Sequence, residues 1–229
     1  MLFADRQDAG RRLAAELLRF KDRRPAVLAL PRGGVPVGFE IAARLEAPLD
    51  VVLVRKIGHP SSPELAIGAV ADGEGPEKVI DENMVAEFGV SQAYLDEEIA
   101  RQQREIEHRR QLYFKNRQPV DIRQHAALVV DDGIATGATM RAALRAVRRR
   151  APAMLVLAVP VAPASALEAM RPEVDEIVCL ASPEDFGAVG LFYADFRPVD
   201  DKAVIDLLDR AAKTRARSAN PTLPPAAKA

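Results

Sequence analysis

Asp131 and Asp132 stand side by side in the run Leu128-Val129-Val130-Asp131-Asp132-Gly133-Ile134-Ala135-Thr136-Gly137-Ala138-Thr139-Met140, between an apolar stretch and a small, hydroxyl-bearing turn. Paired carboxylates can accept hydrogen bonds from a vicinal diol or face a hydrated Mg2+. Ala135, Thr136, Gly137, Ala138 and Thr139 carry little bulk, so backbone N–H groups can approach a phosphate while the threonine hydroxyls donate to it. A sugar phosphate satisfies both halves of the run. The competing reading is an ordinary strand, turn and helix in which Asp-Asp-Gly only forms the turn. A P-loop fits less well, because no Gly-Lys-Ser/Thr closes the run.

Two further clusters could handle anions. Leu30-Pro31-Arg32-Gly33-Gly34 follows an apolar run, and its paired glycines let backbone N–H groups turn toward an anion while Arg32 adds a fork-shaped cation. The Gly-Gly-x-x-x-Gly spacing departs from the dinucleotide pattern G-x-G-x-x-G, and a tight turn is the simpler alternative. Val54-Arg55-Lys56 closes another apolar run and leads into Ile57-Gly58-His59-Pro60-Ser61-Ser62-Pro63-Glu64-Leu65. Two cations at a strand end suit a pyrophosphate, and the Gly/Pro/Ser loop suits a lid; solvated strand-end charges are the plainer account. His59, His108 and His125 show no metal-ligand spacing, and Cys179, the only cysteine, cannot build a zinc site or an intrachain disulfide.

The elements that must position these groups alternate. Strand-like runs fall at 26–30, 50–55, 126–130, 154–159 and 176–180, and helical patterns at 37–45, 138–149 and 164–170 separate most of them. This predicts an α/β fold, doubly wound around a mostly parallel sheet, with an inserted helical and hairpin segment at about 57–124 and a C-terminal hood at about 181–212. Residues 1–212 then form a single domain, and 213–229 a disordered tail without apolar period. Asp8 is expected to cap a first helix, and Asp200 or Asp201 a final one. The charged segment 91–114 reads as an amphipathic helix packed on the core with a solvated face, which also offers a surface for a homodimer.

The acidic run resembles the phosphoribosyl-diphosphate (PRPP) motif of the type I phosphoribosyltransferases: hydrophobic strand, two acidic residues, Thr-Gly-x-Thr. The resemblance implies that Asp131 and Asp132 hold the ribose hydroxyls, directly or through Mg2+. Residues Ala135 to Thr139 would bind the 5′-phosphate, and Arg32, Gly33, Gly34, Arg55 and Lys56 would face the pyrophosphate. Magnesium would be carried mainly by PRPP. Ala135 stands where the 6-oxopurine enzymes usually place an aspartate, so the loop features look closer to the adenine-type enzymes, and Glu64 becomes the candidate general base. Phe186, Phe192 and Tyr193 are candidates to stack on an acceptor base, or else they fill core.

Composition narrows the classes. A net charge of −1 and a pI near 6.3 give no global reason to expect nucleic acid. No segment reaches an unbroken transmembrane length, and a cytoplasmic protein is the expectation. Two functions stay open: a transferase of the 5-phosphoribosyl group to a nitrogenous base or amine, and a regulator that binds PRPP or a nucleotide without turnover.

Overall fold

The computed structural model describes residues 2–72, 77–114 and 118–219, and of 63, 64, 77 and 217–219 the backbone alone. Its centre is a five-stranded sheet in the order β2-β1-β6-β7-β8, every neighbouring pair parallel. The strands are β1 (Ala26–Ala29), β2 (Leu49–Val51), β6 (Ala126–Val130), β7 (Met154–Val161) and β8 (Glu176–Ala181). Continuous apolar runs such as Ala-Ala-Leu-Val-Val in β6 form strands covered on both faces. Alternate residues accordingly enter different cores. Leu128 and Val130 pack with α1 (Arg6–Leu17), α2 (Gly34–Leu45) and α7 (Asp201–Ala219); Ala127 and Val129 pack with α5 (Ala138–Arg149) and α6 (Ala164–Met170).

The expected doubly wound α/β fold is therefore present. Leu128 is fully buried at its centre, and Leu128→Ala should cost about 3 kcal/mol. Thermal unfolding should show a melting temperature lower by about 6–12 °C.

The inserted segment builds a second, antiparallel sheet from β3 (Val54–His59), β4 (Ser62–Ala71) and β5 (Glu77–Ile80). A short helix α3 (Glu82–Glu87) and the long α4 (Gln92–Phe114) follow. Ala69 and Ala71 meet Ala142 and Ala146 of α5, while Ile57, Ile67 and Val70 share a core with Leu95, Ile99 and Ile106 of α4. The small sheet is thus clasped between α4 and α5. On α4 the solvated face carries ion pairs such as Arg110 with Glu107, while Glu98 is buried and paired with Arg101.

Four expectations are corrected. The run 50–55 is not one strand: β2 ends at Val51, and Val54 opens a different sheet. The stretch 57–65 is no open loop, since β3 and β4 turn tightly at Pro60 and Ser61. The first helix is capped by Asp5, whose carboxylate accepts from the Asp8 N–H at 2.7 Å. Residues 213–219 continue α7 and belong to no tail; 220–229 lie outside the described residues. Asp200 does cap α7, accepting from the Ala203 N–H at 2.7 Å.

Candidate functional site

Winding reverses between β1 and β6. The chain leaves β1 through α2 toward β2 on one side, and leaves β6 through α5 toward β7 on the other, so the carboxyl ends of β1 and β6 open a crevice. Open α/β sheets bind ligands at such a switch point. Arg32-Gly33-Gly34 follows β1 there and Asp131-Asp132 follows β6. The Leu30 N–H donating to the Val130 carbonyl at 2.8 Å holds the two loops side by side.

The contact between them is close. A Cβ on Gly33 would lie 2.1 Å from Oδ2 of Asp132, and one on Gly34 would lie 2.7 Å from the Val130 carbonyl oxygen. A side chain at Gly34 would strike backbone, and one at Gly33 would displace the Asp132 carboxylate. The peptide joining Pro31 to Arg32 is cis. Arg32 itself is exposed and reaches Oδ2 of Asp201 at 4.0 Å. The same carboxylate accepts from Tyr113, whose hydroxyl is pushed up to about 12 by burial and by this bond.

Residues Ala135 to Thr139 lie beyond the acidic pair. Gly137 takes φ of +84°, a left-handed turn that admits α5 at Ala138. Among the described residues, no bond engages the N–H groups of Ala135 through Met140. Free N–H groups at a helix N-terminus make an anion site, reinforced by the helix dipole.

Electrostatically the aspartates are unequal. Burial holds the Asp131 carboxyl well above the usual carboxylate range, and the neighbouring Asp132 charge adds to it. Asp131 also accepts from the Asp132 N–H at 2.8 Å. Burial raises Asp132 as well, but Arg6 opposes it. Arg6 Nε donates to Oδ2 of Asp132 at 2.7 Å, Nη1 donates to the Arg197 carbonyl at 2.9 Å, and the guanidinium stacks 3.8 Å over Phe196. Sequence reasoning missed Arg6, because nothing local to α1 marks a partner 126 positions away.

The hood also differs from expectation. It comprises the segment after β8 together with residues 2–5, since the Leu2 and Phe3 N–H groups both donate to the Phe192 carbonyl, while α7 packs on α2 and β2. Tyr193 is buried between Phe3 and Phe196, with ring centroids at 5.3 and 5.0 Å, and its hydroxyl donates to the Asp132 carbonyl at 2.5 Å. Its ring is taken up by the hood and offers no face to a base. Phe186 and Phe192 pair with each other at 5.2 Å and are half-buried.

Arg55 and Lys56 are not at a parallel strand's end. They lie inside β3, and Arg55 Nε donates to Oε1 of Gln102 on α4 at 3.2 Å. Glu64 falls on β4, and its side chain lies outside the described residues. Among the described residues, no three His, Cys, Asp or Glu side chains group as a metal cage.

The sequence profile of the phosphoribosyl transferase domain matches residues 3–197. This chain belongs to the phosphoribosyl transferase family. It is 43% identical over 210 residues to a Mycobacterium tuberculosis protein, strain H37Rv, named provisionally as a phosphoribosyl transferase; the match covers 92% of this chain and 47% of the relative. The chain thus spans about half the length of that relative. A crystal structure of the protein TT1426 from Thermus thermophilus superposes with a TM-score of 0.77 at 43% identity, covering 91% of this chain and 98% of that one. A Neisseria gonorrhoeae protein crystallised with ppGpp shares the fold at a TM-score of 0.50 and 18% identity, over 93% and 94% of the two chains. Within the phosphoribosyl transferase family, then, this chain places Arg32-Gly33-Gly34, Asp131-Asp132 and the start of α5 around one crevice. No helix among the described residues is long and apolar enough to cross a membrane.

Proposed function

We propose that the protein binds PRPP in this crevice and transfers its 5-phosphoribosyl group to a nitrogenous base or amine. The observation that carries this reading is the close contact of Gly33-Gly34 with Asp131-Asp132, beside the free N–H groups of 135–140. Asp131 accepts from the ribose hydroxyls, the α5 N-terminus with Thr136 and Thr139 holds the 5′-phosphate, and Arg32 with the Gly33 and Gly34 backbone faces the pyrophosphate. In the reaction the C1′–O bond breaks, pyrophosphate leaves with the electron pair, and the acceptor nitrogen forms the C1′–N bond. Positioning and charge stabilisation supply the rate.

The donor set fits a magnesium ion held mostly by the ligand's own oxygens, as such ions commonly are. Asp131 offers a carboxylate without a cation of its own, and Asp132 is already paired with Arg6. When bound, the ion neutralises the leaving group.

Two observations favour a second reading, a regulator that binds PRPP without turnover: Arg6 already occupies Asp132, and the hood aromatics pack on one another. The test is pyrophosphate release from Mg2+–PRPP across a panel of purines, pyrimidines and amines. Acceptor-dependent release above about 1 s−1 is expected of an enzyme. PRPP binding with no release from any acceptor would replace the transferase with the regulator.

A further inference from the structure

One polar side-chain atom among the described residues is buried with no hydrogen-bond partner: Nε of Arg141. Its guanidinium also makes no ion pair there. Arg141 is half-buried, and a polar atom shut off from water is nearly always satisfied. The orphan therefore points to a partner that is not part of the chain.

Arg141 lines a cavity of about 300 Å3 between α5 and the small sheet. Gly68 of β4, Val79 of β5, Asp81, Glu82 and Ala138 line it as well. Helical side chains lean toward the helix N-terminus, so Arg141, on the first turn of α5, leans toward the free N–H groups of that turn. Among the described residues Asp81 makes no ion pair with it; Oδ1 of Asp81 accepts from the Met84 N–H at 3.1 Å as the cap of α3. Glu82 does not pair with it either.

We propose that this cavity is a second anion subsite, on the small-sheet side of the phosphate loop, in which Arg141 takes a phosphoryl group. A guanidinium fork matches phosphate oxygens in a bidentate manner. The carboxylates of Asp81 and Glu82 on the other wall would repel a second anion and accept from hydroxyl or amino groups. The ligand class is therefore a phosphorylated hydroxy- or amino-compound. The phosphoryl group belongs to a ligand other than PRPP, since on the proposed reading the PRPP diphosphate faces Arg32 and its 5′-phosphate the α5 N-terminus.

The subsite is tested on the full chain with inorganic phosphate, alone and in the presence of saturating Mg2+–PRPP, by calorimetric titration and thermal melts. Arg141→Gln should weaken phosphate binding at least tenfold. Arg141→Met, which removes the orphan charge and keeps the stem, should melt no lower than the wild type without phosphate and lose the phosphate-dependent rise. Arg141-dependent binding that persists with PRPP bound supports the subsite; displacement by PRPP makes Arg141 part of the PRPP site and overturns it. Phosphate binding unchanged in Arg141→Gln, or an Arg141→Met protein melting well below the wild type, overturns the subsite. Failure of PRPP to bind would count against the transferase reading and leave the phosphate comparison standing.

Discussion

Asp131→Asn is expected to melt higher than the wild type when ligand and Mg2+ are absent, and to bind PRPP at least tenfold more weakly. Both effects have one cause. The Asp131 carboxyl is buried beside a second acidic group, so its charged form is disfavoured in the folded chain. A carboxyl raised in the folded state above its ordinary value of 3.8 contributes no penalty below that value. The penalty grows as pH rises toward the folded value and is complete above it. An asparagine keeps an oxygen to accept the Asp132 N–H and removes the charge. The gain should be about 1 kcal/mol, of the kind obtained when a strained functional group is relieved. That corresponds to about 2–4 °C in a chain of this size. The difference between variant and wild type should be larger at pH 8 than at pH 4. On the proposed PRPP site, the same substitution deletes a charged acceptor for the ribose hydroxyls, worth about 1.5–3 kcal/mol. Melts at the two pH values and a PRPP titration decide the matter. A variant that melts lower at both pH values and binds PRPP normally would make Asp131 a structural residue.

Much of this site can be read from the sequence because its parts are contiguous. The apolar run before Asp131, the two acids and the small turn occupy consecutive positions, and β6, the crevice and the start of α5 follow from them in order. Arg32-Gly33-Gly34 was legible for the same reason. The break between β2 and β3 was not, since Val51-Val52-Leu53-Val54 is uniformly apolar and carries no turn signal where the chain changes sheets. With that break, Arg55 and Lys56 moved from a strand end into the interior of β3. The extension of α7 past 212 rests on propensity: Ala-Lys-Thr-Arg-Ala-Arg lacks an apolar face but contains good helix formers. The hood needed tertiary structure, because residues 2–5 pair with a segment nearly two hundred positions later. Aromatic clustering at 186–196 was visible; that Tyr193 and Phe196 serve the fold and the Arg6 stack was not.

Arg6→Ala should destabilise the protein by about 3 kcal/mol, because it removes one member of a shielded ion pair and strands the other. The side chains of Arg6 and Asp132 are only 11% and 13% exposed, so water cannot replace the lost partner freely. The truncation also removes the stack on Phe196 and the donor to the Arg197 carbonyl, which tie α1 to the hood. In response Asp132 will take up a proton at higher pH than in the wild type, since the group that opposed its burial is gone. The loss should therefore be smaller at pH 5 than at pH 8. Arg6→Lys restores charge without the fork, so it should recover part of the stability and not the bond to Arg197. The decisive measurement is a double-mutant cycle. In Arg6→Ala with Asp132→Asn the stranded carboxylate is absent, and most of the loss should return, giving a coupling of about 2 kcal/mol. Strictly additive losses would mean that Arg6 acts only through Phe196 and the hood. A large coupling means that Arg6 holds Oδ2 of Asp132 in the ligand-free crevice, so that on the proposed reading a ribose must compete with Arg6 before both carboxylates can serve it.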